Sequence, residues 1–199
     1  MGMEQISAKL LPLRITLSNI DPPIWRRLLV TDDLTFAQLH KVIQAAMGWE
    51  DYHMHEFEAG KVRVGDATPD PFGPGSVPRL LSEKKTRLSD VLGNRRKFRY
   101  WYDFGDDWWH EIAIEKRLPD DGLGPRLLAG ERACPPEDCG GPWGYANLLE
   151  ILADPGRPEY EELREWAGDF EPERFDLEAA AKAVQKSVRR KKPEKAKIK

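Results

Sequence analysis

The sequence predicts an α+β fold in which a mainly antiparallel sheet with an aromatic central hairpin is packed by an N-terminal helix and C-terminal helices. The hairpin is the stretch 97–115, where aromatic and polar residues alternate with the period of two that a strand imposes, on both sides of a turn at Gly105. Apolar residues recur at helical spacing over 35–47 and again after residue 145. Strands and helices do not alternate regularly, which argues against a doubly wound parallel sheet.

Two strands are predicted before the first helix. Residues 11–17 alternate apolar and polar side chains, and residues 24–30 follow after a short turn, so the two segments should pair antiparallel. Arg26 and Arg27 are neighbours on the second strand and therefore point to opposite faces. One of them could be buried against a carboxylate, but we expect both to lie at the rim of the sheet.

The clearest helix is predicted over residues 35–47. Thr35 and Gln38 have the spacing of a capping box, in which two side chains satisfy free backbone amides at the start of a helix. Gly48 is placed to end the helix in the left-handed conformation. His40 lies off the apolar stripe of this helix, so we expect its side chain to be exposed.

The second half of the chain contains shorter elements, separated by turns rich in glycine and proline. They are a helix over 86–92, a strand over 126–133, and helices over 145–153, over 158–167 and from Asp176 to about residue 190. This order of elements is consistent with helices that pack against a sheet formed earlier in the chain.

The composition is that of an ordinary globular chain, since 40% of its 199 residues are apolar and 33% are charged. No apolar run is long enough to span a membrane, and the N-terminus lacks the pattern of a signal peptide. We therefore expect a cytoplasmic protein that has no membrane partner. Two cysteines are too few for a disulfide framework.

Charge is distributed unevenly along the chain, whose net charge is −3. Residues 182–199 carry nine Lys or Arg and one Glu, so the rest of the chain is acidic. We treat residues 1–181 as a single α+β domain and residues 182–199 as a basic helix end and tail. The tail either solvates the terminus or forms an arm that contacts nucleic acid. Its candidate phosphate contacts are Arg189, Arg190, Lys191 and Lys192.

Histidines and carboxylates form the sharpest group of candidate site residues. His53 and His55 should share one strand face with Cα atoms about 6.6 Å apart. That spacing suits two ligands of one divalent metal, and His110 or a carboxylate could provide the third ligand. The alternative, which we favour, is that the histidines are hydrogen-bonded within an aromatic core and the aspartates shape turns. The candidate pocket comprises His53, His55, Asp103, Asp106, His110, Glu137 and Asp138.

The aromatic hairpin offers a second kind of site, a stacking platform for bases. Its candidate aromatic residues are Trp101, Tyr102, Trp108 and Trp109, and its candidate phosphate contacts are Arg95, Arg96, Lys97 and Arg99. Acidic residues nearby would repel phosphate, among them Asp103, Asp106, Asp107 and Glu111. We therefore expect the aromatic side chains to belong to the core.

Two classes of function are consistent with the sequence. The chain has no nucleotide-binding glycine loop, no serine-nucleophile motif and no zinc-protease helix motif. The leading hypothesis is a non-enzymatic binding or accessory protein that acts on nucleic acid or on a protein partner. The alternative is a metal-dependent hydrolase-like enzyme with a His/Asp site. We identify no cofactor other than this candidate divalent metal, and the oligomeric state stays open.

Four segments carry a family resemblance, and they are IWRRLLV, TFAQLHKVIQAAMGWEDYHMHEF, YDFGDDWWHEIAIE and GERACPPEDCGGPWGYANLLEIL. In this order they resemble the plasmid pRiA4b ORF-3-like family, which also looks like the TnpR-type passenger proteins of the IS1096 element. The resemblance covers about residues 8–180 and implies an α+β fold, but it carries over no catalytic serine or tyrosine. The family's pattern is most distinctive at His53, His55, Asp103, Asp106, His110, Glu137, Asp138 and Gly140.

Overall fold

One mixed sheet organises the computed structural model, which describes residues 8–66 and 80–188. Its strands are β1 (Lys9–Leu17), β2 (Trp25–Thr31), β3 (His55–Ala59), β4 (Val62–Gly65), β5 (Leu80–Ser82), β6 (Lys97–Tyr102), β7 (Trp108–Ile114), β8 (Leu118–Pro119) and β9 (Arg126–Glu131). Its helices are α1 (Phe36–Met47), α2 (Leu88–Leu92), α3 (Gly141–Leu152), α4 (Tyr160–Ala167) and α5 (Leu177–Ser187).

The strands follow the spatial order β5-β4-β3-β6-β7-β1-β2-β9, and β8 pairs with the start of β1. Every strand pair in the described sheet is antiparallel except β4 with β5. The predicted α+β class with a mainly antiparallel sheet is therefore confirmed.

The β6–β7 hairpin lies in the middle of this order, and its register places Trp101 opposite Trp109 and Tyr102 opposite Trp108. Tyr102 and Trp108 point to the covered face and are buried in the core. Trp101 and Trp109 point to the other face and are half-buried. The expectation that these aromatic side chains are core residues holds for one pair and is wrong for the other, because strand alternation sends neighbours to opposite faces.

The covered face of the sheet packs against α1 and α5, which also contact each other. Helix α1 begins with the predicted capping box of Thr35 and Gln38 and ends at Gly48 in the left-handed conformation. Its apolar stripe is fully buried at Phe36 and Leu39. Local sequence signals were sufficient here because caps depend on neighbours within one helical turn.

The C-terminal helices follow the prediction closely except at the start of α3. That helix begins at Gly141 rather than near residue 145, with Gly140 and Gly141 at positive φ and Pro142 in its first turn. Proline is tolerated there because the first backbone amides of a helix have no partner within the helix. None of the described helices is both long enough and apolar enough to cross a membrane. Arg189, Arg190, Lys191 and Lys192 lie outside the described residues.

Arg26 is the principal exception to the strand predictions, since it is only 1% exposed instead of lying at the rim. Its guanidinium donates hydrogen bonds to the backbone carbonyl oxygens of Trp25, Ala46, Glu131 and Arg132. Arg27 does lie at the rim, where it pairs with Glu115. Arg26 is buried because β9, the end of α1 and Phe175 surround it.

Candidate functional site

Three loops meet at one end of the central hairpin. They are the β6–β7 turn, the α1–β3 loop and the β9–α3 loop. The Asp106 carboxylate in the first accepts a hydrogen bond of 3.0 Å from the Gly140 amide in the third. The Trp49 indole in the second donates to the Pro135 carbonyl oxygen, also in the third, over 2.9 Å. These contacts bring together carboxylates that lie far apart in the sequence.

His53 lies at the centre of this meeting point. Its Nε2 atom is 3.6 Å from Asp103 Oδ2, 3.8 Å from Glu137 Oε2 and 3.3 Å from Asp138 Oδ1. Nε2 is shielded from solvent and makes no hydrogen bond to any described residue. The distances exceed the typical N–H···O range of about 2.7–3.2 Å. They approximate the roughly 3.4 Å between two ligands that bind one tetrahedral cation at about 2.1 Å each.

Asp103 is held in place by the turn that it begins. It lies one residue beyond β6 with a φ of 53°, not within the strand as its alternation predicted. Its Oδ1 accepts hydrogen bonds from the backbone amides of Gly105, at 2.9 Å, and Asp106, at 3.2 Å. These bonds fix the carboxylate so that Oδ2 faces His53.

Glu137 is positioned in the same way, through the oxygen that does not face His53. Its Oε1 accepts hydrogen bonds from the Tyr102 hydroxyl, at 3.1 Å, and from the Glu50 amide, at 3.0 Å. Carboxylates that bind metal ions are commonly held by such hydrogen bonds from neighbouring groups. Asp138 differs, because 72% of its side chain is exposed and it forms the solvent side of the cluster.

His40 belongs to a second cluster, beside the first. Its ring nitrogens are hydrogen-bonded to the Tyr100 hydroxyl, at 2.8 Å, and to Asp51 Oδ1, at 2.7 Å. The predicted exposure of His40 is therefore wrong, because a hydroxyl from the sheet and a carboxylate from the α1–β3 loop enclose the ring. Burial and, after it, the neighbouring His55 lower the pKa of His40 to about 4.

His55 contributes to this second cluster rather than to the first. Its ring stacks on His40 with centroids 3.5 Å apart, and its Nε2 is 2.6 Å from Glu83 Oε2. His53 precedes β3, whereas His55 is the first residue of that strand, so the expected shared strand face is not formed. His40, Asp51 and His55 also offer potential metal ligands within 4.8 Å of one another. However, the ring nitrogens of His40 and Nε2 of His55 already have hydrogen-bond partners, unlike Nε2 of His53.

His110 lies apart from both clusters. It is fully buried, and its ring packs edge-on against Trp49 at 5.4 Å and near Tyr100 at 5.2 Å. Burial lowers the pKa of His110 to about 3, so the imidazole is neutral at physiological pH. The candidate metal set His53, His55 and His110 is thus divided among three environments.

The buried His110 should make stability depend on pH. Its pKa in the folded state is below the 6.5 of an unfolded chain, so the unfolded state binds more protons as the pH falls. Its contribution to stability is complete above about pH 6.5, and about 2–3 kcal/mol of it should be lost by pH 4.5. Urea unfolding at pH 7.5 and 4.5 should show a smaller difference for His110→Phe than for the wild type. Equal differences in the two proteins would contradict this prediction.

Sequence reasoning missed several residues that complete the two clusters. They are His40, Glu50, Asp51, Glu83 and Tyr102. The segment that precedes His53 carried a usable signal, since Glu50 and Asp51 lie within five residues of both His53 and His55. Glu83 had no such signal, because its pairing with His55 depends on the approach of a segment 28 residues away.

Comparisons with known proteins identify the family to which the chain belongs. A sequence model of the family "Plasmid pRiA4b ORF-3-like protein" matches residues 9–179. The uncharacterized protein y4hQ of Sinorhizobium fredii is 38% identical over 181 residues, which cover 89% of this chain and 91% of that protein. The crystal structure of the protein of unknown function MM3350 from Methanosarcina mazei Go1 is similar with a TM-score of 0.76 and 44% identity. The similarity covers 86% of this chain and 97% of that one. On these matches, the chain belongs to the plasmid pRiA4b ORF-3-like protein family.

Proposed function

We propose that the protein is a metal-dependent hydrolase-like enzyme with one divalent cation bound by His53, Asp103 and Asp138, beside Glu137. The observation that carries this proposal is the shielded Nε2 of His53, which faces three carboxylate oxygens and makes no hydrogen bond to a described residue. A mixed set of imidazole and carboxylates suits Mn²⁺, Fe²⁺ or Zn²⁺. The hydrogen bonds to Asp103 would keep this ligand in place without the cation, and the Tyr102 hydroxyl holds Glu137 beside it.

Such a cation would polarise a carbonyl or phosphoryl oxygen of a substrate and would lower the pKa of a bound water. The residues of this chain would supply orientation and access. The Tyr102 hydroxyl holds Glu137, and the exposed Asp138 leaves the centre open to solvent. A cavity of about 250 Å³ adjoins Asp138. Its other lining residues include Asn147, Leu148, Glu162, Leu163 and Trp166, which would contact a substrate held beside the centre.

The first test is metal binding by the full-length protein after treatment with a chelator. Isothermal titration with Mn²⁺ and Zn²⁺ should show one site, and His53→Ala should weaken binding at least about 100-fold, because it removes the imidazole ligand. His55→Gln is the matched control, since it changes the neighbouring histidine and should leave the affinity nearly unchanged. An equal loss in both variants, or no binding by the wild type, would refute the centre.

The second test is activity. The metal-loaded wild type should hydrolyse some member of a panel of p-nitrophenyl esters and phosphoesters, and His53→Ala should lose that activity under the same conditions. Loss of turnover after chelation and recovery with Mn²⁺ or Zn²⁺ would support a direct role for the cation. A protein that binds the cation but hydrolyses no member of the panel would contradict the hydrolase assignment while keeping the cation site.

A second candidate function is a non-enzymatic binding or accessory protein that acts on nucleic acid or on a protein partner, for example at a mobile element. It is favoured by the aromatic side chains of Trp101, Trp109 and Phe104, which remain on the surface of the sheet. Both candidates are proposals for a cytoplasmic protein whose residues 1–181 form one domain.

A further inference from the structure

A basic cavity of about 570 Å³ lies at the start of β6, at the opposite end of that strand from the His53 cluster. Its charged lining consists of Arg95, Arg96, Lys97, Arg99, Glu58 and Glu111. Glu58 forms an ion pair with Arg99, and Glu111 lies opposite Arg99 on β7. The lining carries four positive and two negative side chains, so the cavity attracts anions although the domain as a whole is acidic.

The segment that carries these cations is held by its own backbone contacts. The Arg95 guanidinium donates a hydrogen bond of 2.8 Å to the Val91 carbonyl oxygen at the end of α2. Arg117 donates to the carbonyl oxygens of Gly93, at 2.6 Å, and Arg95, at 3.2 Å. Arg96 and Lys97 therefore project from an ordered segment and remain exposed. Ordering the cations before a ligand arrives reduces the entropy lost on binding.

An aromatic column runs across the same face of the sheet, next to the cavity. It consists of the Arg99 guanidinium 4.3 Å from the Trp109 ring, Trp109 stacked at 4.8 Å on Trp101, and Trp101 at 4.2 Å from Phe104. The faces of the inner rings are covered by their neighbours. Phe104 ends the column and is 38% exposed, so a ligand can reach its side chain.

We propose that this outward face binds single-stranded nucleic acid. The phosphates would lie over Arg95, Arg96 and Lys97, and a base would stack on Phe104, because a cationic groove beside an exposed aromatic ring is what single strands require. The strand from Lys97 to Tyr102 is roughly 17 Å long, and Phe104 follows it in the turn, so several nucleotides can span the distance. A duplex fits less well, since its base faces are hidden and a sheet face presents no element to the major groove.

Carboxylates near the column are largely engaged by donors of the protein itself. Asp107 accepts a hydrogen bond of 2.9 Å from the Trp109 indole, and Asp106 accepts one from the Gly140 amide. Their remaining repulsion predicts moderate affinity with strong dependence on salt. This inference deepens the second candidate function, and it requires neither the cation centre nor the basic residues beyond 188.

The test uses the full-length protein in EDTA, so that failure of the metal proposal does not affect it. Binding of a fluorescent 12-nucleotide oligo(dT) is measured by anisotropy at several KCl concentrations. Arg96→Glu/Lys97→Glu should weaken binding at least about tenfold and reduce the slope of log affinity against log salt by about 1.4, the value for two lost phosphate contacts. Lys41→Glu/Lys186→Glu makes the same change in net charge at exposed helical sites and should alter affinity less than about twofold.

A second variant separates base stacking from attraction of phosphate. Phe104→Ala should weaken oligo(dT) binding by about tenfold, the order expected for one stacked base, and leave binding of inorganic tripolyphosphate unchanged. Thermal melting confirms that each variant is folded before binding is measured. The proposal would be overturned by no binding at 50 mM KCl, by equal losses in the two charge variants, or by a Phe104→Ala variant that binds oligo(dT) as well as the wild type.

Discussion

Gly141→Ala should lower the free energy of unfolding by about 3–5 kcal/mol, which is near the upper end for a single substitution. A Cβ atom at Gly141 would lie 2.2 Å from the carbonyl oxygen of Asp106. That oxygen belongs to the backbone of the β6–β7 turn, so the contact cannot be relieved by rotating a side chain. Gly141 also has a φ of 67°, a conformation that L-residues adopt at a cost of about 1–3 kcal/mol.

Gly48→Ala is the matched control for this prediction. Gly48 has a φ of 92°, but a Cβ atom there would meet nothing within 4 Å. Its substitution should therefore cost only the conformational part, about 1 kcal/mol. Urea unfolding followed by circular dichroism measures the stability of both variants. Similar losses of unfolding free energy would contradict a close approach of Gly141 to the β6–β7 turn.

Gly141→Ala should also weaken cation binding at the His53 cluster. Gly141 follows the β9–α3 loop, which carries Glu137 and Asp138, and its contact with the β6–β7 turn sets the distance between that loop and Asp103. If the β9–α3 loop and the β6–β7 turn separate, the carboxylates of Asp138 and Asp103 move apart. Gly48→Ala should leave the cation affinity unchanged, because a Cβ atom at Gly48 would meet nothing within 4 Å.

Arg26→Met should destabilise the protein by a similar amount, about 3–5 kcal/mol. The variant keeps much of the apolar stem but removes every donor from four buried or half-buried backbone carbonyl oxygens. Each such acceptor left without a partner costs about 1–3 kcal/mol, partly relieved where water can enter. The stacking of the guanidinium 3.7 Å above the Phe175 ring is lost as well.

Arg27→Met is a control of the same chemistry at the next position. Arg27 pairs with Glu115 at the rim, where solvent screens the charges, so its loss should change stability little. Arg26→Lys should destabilise the protein almost as much as Arg26→Met, because one ammonium group cannot donate hydrogen bonds in the fork geometry of a guanidinium. Urea unfolding measures these changes in stability: if the dependence of the unfolding free energy on urea concentration is unchanged, the shift of the midpoint gives the difference between variant and wild type. Equal midpoints for Arg26→Met and Arg27→Met would contradict the assigned role of Arg26.

The sequence was most informative where structure depends on near neighbours. Thr35, Gln38 and Gly48 identified the ends of α1, and the alternation over 97–115 identified the central hairpin, because caps and strand faces are local properties. The start of α3 was placed too late, since consecutive glycines weaken local helix signals while the Asp106 contact fixes the backbone.

Prediction was weakest where a side chain is placed by partners that are distant in the sequence. His40 is buried by a hydrogen bond to Tyr100, sixty residues later, and Arg26 by carbonyl groups from two other segments, at Ala46 and at residues 131–132. His53 and His55 separate because β3 begins at His55 and not earlier, and a shift of that size is within the normal error of strand boundaries. Three of the candidate carboxylates, Asp103, Glu137 and Asp138, lie within 3.8 Å of His53 Nε2, and only tertiary structure shows which histidine they surround.

Anomalous diffraction from crystals grown with Mn²⁺ tests the central claim most directly. The proposed centre predicts a strong anomalous peak about 2.0–2.2 Å from His53 Nε2, with oxygens of Asp103 and Asp138 among the other ligands. The peak should be absent from crystals of His53→Ala grown under the same conditions. A peak between His40, Asp51 and His55 instead, or no peak at His53 in the wild type, would contradict the account.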